Sequence, residues 1–211
     1  MRKLTILAML LMLCGLAACA QKNTARPAPL PDMSIAVAWF NQPFKVDDLL
    51  AGIMTSDQSP VGEKVLMNLD HAMDSVLRND SKRVYIFIPG AYKLQVQASR
   101  VAKTGTALEY WAAVGKSLNA DMILVPQVTG WQEREGGSYG VEKPAAVTMD
   151  FYLIDVKNAA LVNRYHFEET QETLTSNLLT FGKFVERKGR WVTALDLATE
   201  GMHQAVRELG L

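Results

Sequence analysis

Apolar positions along this chain follow three rhythms, and each rhythm predicts a kind of element. The first is an apolar run, Leu4 to Leu16, behind Arg2 and Lys3. It is shorter than the ~20 residues that span a bilayer, so it reads as a signal segment over residues 1–18. The second is the strand rhythm. Ser34 to Phe40 is apolar on both faces, as in a central strand. Arg83 to Ile88 and Met122 to Trp131 are further apolar runs, and Pro126 marks the last as an edge or a bulge. Ala145 to Val156 alternates, with Val147, Met149, Phe151 and Leu153 on one face and Thr148, Asp150 and Tyr152 on the other. Ala160 to Glu168 sets Leu161, Tyr165 and Phe167 against Arg164, His166 and Glu168, so the two strands predict a hairpin with a half-wet face.

The third rhythm is helical. Ser59-Pro60 opens a helix as N-cap and first turn, with Val61, Val65, Leu69, Met73 and Val76 on one side to about Leu77. Thr106 to Glu109 is a capping box ahead of Leu108, Trp111, Ala112, Gly115 and Leu118, and Asn119 closes that helix. Thr193 to Leu209 is a last amphipathic helix, ended by Gly210. A short helix is expected over Val46 to Met54 and another over Leu174 to Phe184. Strand, helix, strand, helix, strand, hairpin and helix make an α/β chain of one domain, residues 34–211, with helices packed on a mixed central sheet.

The signal segment ends in Leu16-Ala17-Ala18-Cys19, which resembles a bacterial lipobox, the mark for cleavage before a cysteine and its acylation. Cys19 is therefore the expected lipidation site. Two or three acyl chains on one residue anchor stably, where one is marginal. Residues 19–33 form the lipidated end and a tether. Pro27, Pro29 and Pro31 favour an extended chain over Gln21 to Asp32 and forbid a helix. In proteobacterial lipoproteins, a residue other than Asp after the cysteine, here Ala20, is an outer-membrane address. For a Gram-negative source the domain then faces the periplasm.

Charge and cysteine use agree with that location. The full chain has 22 basic and 22 acidic residues; loss of Arg2 and Lys3 leaves 20 against 22. Such a surface lacks the basic excess of nucleic-acid binders. Cys14 leaves with the signal and Cys19 is blocked, so no thiol, disulfide or cysteine metal site remains.

Candidate chemistry is sparse. Gly115-Lys116-Ser117 lies inside a helix, and a phosphate-binding loop needs glycine where Tyr110 stands. Asp150, Asp155, Glu168, Glu169 and Glu172 supply carboxylates, and His166 with Glu168 is the one i, i+2 pair of metal-ligand type on a shared strand face. No Gly-x-Ser-x-Gly elbow exists. No catalytic residue, metal or cofactor is assigned, and the chain is read as a non-enzyme. Leu174 to Trp191 combines Leu178, Phe181 and Phe184 with Lys183, Arg187, Lys188, Arg190 and Trp191. It reads as a core helix with a charged turn, a partner interface or a membrane contact. Trp131 and Tyr139 flank the glycine-bearing loop Gln132–Pro144 as further interface candidates.

Three stretches carry a resemblance to small bacterial envelope lipoproteins of the CsgG/PelC/LpoB type, whose fold is likened to the N-terminal domain of TolB. They are the opening strand Ile35 to Phe40, the junction Leu118-Asn119-Ala120-Asp121-Met122-Ile123-Leu124-Val125, and the hairpin ending Leu153-Ile154-Asp155-Val156. The resemblance covers Ser34 to Glu168. The long Asn41–Ser59 stretch departs from it, and Gln171 to Trp191 has no counterpart. It implies a binding or scaffold role in envelope assembly or export, through an envelope protein partner. A ring- or pore-forming subunit, which makes homo-oligomers, is the alternative. A cell-wall hydrolase is the remaining enzymatic reading.

Overall fold

The structure is a computed structural model that describes residues 29–51, 60–88, 105–136, 142–171 and 192–211. Five strands form one mixed sheet: β1 (Ile35–Val37), β2 (Tyr85–Phe87), β3 (Met122–Gln132), β4 (Ala146–Asp155) and β5 (Ala160–Thr170). Their order is β2-β1-β3-β4-β5. β1 is parallel to both neighbours, with Ile35 opposite Tyr85 and Met122. The pairs β3–β4 and β4–β5 are antiparallel. Helices α1 (Glu63–Asp80) and α3 (Ala194–Leu209) share one face of the sheet, and α2 (Ala107–Ser117) covers the other. The mixed α/β architecture read from the sequence is the one observed.

Two cores follow from this layering. Leu69, Met73 and Leu77 of α1 and Leu197 and Met202 of α3 pack on Leu124, Met149, Phe151 and Leu153. Trp111 and Ala112 of α2 pack on Ile123, Val125, Tyr152 and Ile154. Gly115 sits against the second core because nothing larger fits: a Cβ there would lie 2.4 Å from Cγ2 of Val156. The glycine of the Gly-Lys-Ser triplet is thus a packing residue. Thr106 and Glu109 close the expected capping box, and Asn119 takes a left-handed φ of 53° after the helix. Thr193 and Asp196 form a second capping box at the expected start of α3.

Several expectations change. α1 begins at Glu63 behind Gly62, later than Ser59-Pro60, and ends at Asp80, within the Asn79-Asp80 pair expected to close it. Its approach is fixed instead by Val61 N–H donating to Gln42 Oε1 at 2.7 Å. Of the helix expected over Val46 to Met54, residues 52–54 lie outside the described residues, and the described part holds a single 3-10 turn over Val46–Asp48 with no buried residue. Side-chain bonds outcompete the helix there: Gln127 Nε2 donates to the Asp48 carbonyl at 2.9 Å. Pro126 lies in a central strand, opposite Phe151. It has no N–H to give β1, and the ladder skips a residue at that point. Ala38 N–H donates to Leu124 O, and the next donation, from Asn41 N–H, goes to Pro126 O. The proline therefore marks a bulge in the chain just after β1, between Ala38 and Asn41. Phe40 N–H, displaced by this bulge, donates to Asp70 Oδ1 on α1 at 2.6 Å.

The half-wet face of the hairpin is also revised. Met149 to Ile154 are all buried, because the segment before residue 52 lies over Tyr152, whose hydroxyl donates to the Ala51 carbonyl at 2.8 Å. The β4–β5 register shifts between Leu153 and Ile154, which sets Leu161 opposite Ile154. Leu161 therefore lies on the face of Arg164 and His166 rather than with Tyr165 and Phe167.

Candidate functional site

Among the described residues, two places gather groups that can recognise something. The first is a cleft of about 650 Å³ beyond the carboxyl ends of β1 and β2. The fold makes this opening. The chain leaves β1 toward the α1 face and returns from β2 through α2 on the other face, so the two connections diverge. Such divergence opens a crevice in α/β sheets. Its floor is Val37, Phe40, Phe87 and Met73, and α1 supplies one wall through Leu66 and Asp70. Phe44 and Met67 border it and are 60% and 50% exposed. Exposed apolar side chains grouped at a polar-rimmed opening favour contact with another molecule.

The wall opposite α1 is held by amides. Gln127, fully buried, donates from Nε2 to Asn41 Oδ1 at 3.0 Å as well as to Asp48 O. Asn41 Nδ2 donates to Pro126 O at 3.0 Å. These bonds tie residues 41–48, and with them Phe44, to the central strand.

The second place is the outer face of the hairpin. Asp150, 4% exposed, accepts from Arg164 Nε at 3.0 Å and Nη2 at 2.8 Å, and from His166 Nδ1 at 2.8 Å. An ionised carboxylate only accepts, which puts the His166 proton on Nδ1. His166 Nε2 lies 3.6 Å from Glu168 Oε2. The register explains the grouping: His166 stands opposite Asp150, Arg164 opposite Tyr152 and Glu168 opposite Thr148. Burial, together with the Asp150 charge, pushes the Tyr152 phenol up to about 12. An aspartate-oriented histidine suits proton transfer, yet the groups that face its two nitrogens here are both carboxylates. Among the described residues, no group of three or more His, Cys, Asp or Glu is placed to hold a metal.

The entrance to the domain lies at the opposite pole from the cleft. Arg83, just before β2, donates to the carbonyls of Leu30 at 2.7 Å, Pro31 at 2.8 Å and Met33 at 3.3 Å. Leu30 N–H donates to Gly210 O at 3.2 Å. Ser34 N–H and Oγ donate to Asp121 Oδ2 at 2.9 and 2.7 Å, which holds that carboxyl below the usual range. The last residues of the proline-bearing stretch are therefore bonded to the domain. From Ser34 to Asn41 the chain advances seven residues, roughly 23 Å at ~3.3 Å each, so entrance and cleft face opposite ways.

Of the residues singled out from sequence, Trp131 is described. It packs against the first core and donates from Nε1 to Glu133 Oε1 at 3.2 Å. Cys19, Tyr139, Leu178, Phe181, Phe184 and Trp191 lie outside the described residues, as does the helix expected over Leu174 to Phe184. Sequence reading missed the cleft, because its two halves are far apart in the chain. It also missed the Asp150 cluster, although the hairpin spacing sets residues 150 and 166 opposite each other.

No protein-family model matches the chain, and no curated protein matches it in sequence. Solved structures similar to it include the PelC dodecamer from Paraburkholderia phytofirmans, with a TM-score of 0.49 and 18% identity over 89% of this chain and 94% of that one. Lipoprotein GNA1162 from Neisseria meningitidis aligns at 0.39 and 14% over 74% and 95%. The LpoB C-terminal domain from Escherichia coli aligns at 0.38 and 11% over 66% and 84%. PelC and LpoB are among the lipoproteins that the sequence itself resembles.

Proposed function

We propose that this chain is a lipid-anchored, periplasm-facing binding module of the outer membrane, accessory to envelope assembly or export, and that it engages a protein partner at the β1–β2 cleft. The observation that carries the reading is the polarity of the domain. Leu30, Pro31 and Met33, downstream of the anchor signal expected at Leu16–Cys19, are bonded by Arg83 at one pole, and the apolar cleft opens at the other. The proline-bearing residues ahead of the domain are expected to serve as its tether. The domain thus stands off the bilayer with its cleft uncovered by the anchor.

A photo-crosslinking amino acid tests this. Placed at Phe44 in the full-length chain in its native envelope, it is expected to capture one protein. Placed at Val84, which is 87% exposed at the anchor pole, it is expected not to capture that protein. Capture of the same species at both positions, or at Val84 alone, contradicts the reading.

A further inference from the structure

β5 is the long outer strand of the sheet, eleven residues, and among the described residues nothing pairs with its free side. The direction of its backbone groups follows from the neighbouring ladder. Gln171 N–H donates to Ala145 O at 2.8 Å. In an antiparallel pair, bonded and non-bonded positions alternate, so odd-numbered residues of β5 turn their amides to β4. The N–H and C=O groups of Arg164, His166 and Glu168 then point outward. One bond confirms this direction: Arg164 N–H, with no strand beside it, is taken by the Asn163 side chain, Oδ1, at 2.8 Å. Such an edge is a template for another strand.

We propose that the outward edge of β5 pairs with the same edge of a second copy, antiparallel and centred on His166, joining two five-stranded sheets into one. Charge chooses the register. A two-fold axis at residue 166 sets His166 opposite itself, Arg164 of one copy opposite Glu168 of the other, and Tyr165 opposite Phe167. Opposite charges and aromatics facing across strands favour pairing, and like charges oppose it. Centring on 164 would oppose two arginines, and centring on 165 would set Arg164 against His166. The axis must pass through a residue with outward amides if the centre is to bond, which 166 satisfies and 165 and 167 do not. The pairing also fits the bulge, since residues 164 to 168 lie beyond the register shift, which Asn163 borders.

Asn163 acts as the guard of this edge. Its Oδ1 occupies the Arg164 N–H that the second copy needs, so the free chain must give up a local bond to open. Glu168, with a side chain 72% exposed, is at hand for the other copy's Arg164. Antiparallel pairing puts the two entrances at opposite ends of the joined sheet. Anchoring of both copies, as proposed above, holds them to one bilayer. Confinement to that surface raises the effective concentration of the second copy.

The test uses the full-length chain purified from membranes in detergent with Cys14→Ser and with Cys19 left to its anchor, and the same chain without an introduced cysteine is the control for any thiol at Cys19. In a bonded antiparallel pair, opposed Cα atoms lie about 5.5 Å apart, within disulfide reach. His166→Cys is expected to form a disulfide dimer on mild oxidation. Glu168→Cys, two residues from the axis, stands roughly 14 Å along the strands from its copy at ~3.4 Å per residue and is expected not to. By sedimentation, Glu168→Arg should weaken dimerisation by roughly tenfold or more, and Asn163→Ala should strengthen it. Equal crosslinking at 166 and 168 overturns the proposal. So does a monomer at all concentrations together with no disulfide at 166. A ring of higher mass without the 166 crosslink overturns it too, because a ring needs head-to-tail contact.

Discussion

Gly201 is where α3 meets the edge of the sheet, and replacing it tests the packing that holds β5 in place. A methyl at that position would lie 2.7 Å from Cγ and Cδ1 and 3.0 Å from Cε1 of Phe167. Carbon atoms pack best at ~3.5–4.0 Å, so helix and ring must part by about 1 Å. Phe167 is only 5% exposed and has no open side to turn to. Overpacking of this kind costs ~1–3 kcal/mol. Alanine in place of a helical glycine returns ~0.8–1 kcal/mol. Gly201→Ala should therefore destabilise by about 1 kcal/mol net. Urea unfolding of the single variant, of Phe167→Leu and of the double variant measures the coupling. In the Phe167→Leu background the smaller side chain frees space, and Gly201→Ala should become neutral or stabilising, a coupling of ~0.5–3 kcal/mol. A gain of about 1 kcal/mol from Gly201→Ala in the native background, and the same gain in the Phe167→Leu background, would refute the contact.

Two further predictions concern pH. Tyr152→Phe loses the bond to Ala51 and should cost ~0.5–1.5 kcal/mol near neutrality. Because the folded phenol is pushed up to about 12 from 10.0, its contribution is full below pH 10 and lost as pH rises through 12. The melting difference from the native protein should then narrow across that window; a constant difference contradicts it. Asp121 has the opposite sign. Ser34 lowers its folded value below 3.8, so its contribution is present above pH 3.8 and lost as pH falls through the folded value. Asp121→Asn should melt lower than the native chain at pH 6 and converge with it in acid, and a gap that persists in acid would count against the Ser34 bonds.

Most of the fold was legible because its signals are local. Thr106 with Glu109 caps a helix within one turn, and the alternation of 145–156 and 160–168 needs only two chain segments. Errors arose where a distant side chain decided. Val46 to Met54 has helical spacing, but Gln127 takes the backbone at Asp48. Ser59-Pro60 has the right residues for a helix start, but Gln42 fixes Val61 and the helix waits for Glu63. Pro126 signalled a break in a ladder, without saying that the chain just after β1 would be the one to bend. The cleft was invisible for the same reason: Phe44, Met67 and Phe87 meet only through the crossover of β1, α1 and β2. The Asp150 cluster was closer to hand, since Arg164 and His166 follow from hairpin register alone.

The lipid anchor at Cys19 is the claim from which the rest of the account hangs, because the pole-to-pole arrangement of entrance and cleft matters only if the entrance is tied to a membrane. Intact-mass measurement of the protein from the membrane fraction, followed by mapping of its N-terminal peptide, tests it directly. The account predicts a chain that begins at Cys19 and carries the mass of two or three acyl groups on that residue, and a Cys19→Ser variant that carries none. A membrane-fraction protein that begins elsewhere, or begins at Cys19 with no added acyl mass, would contradict it.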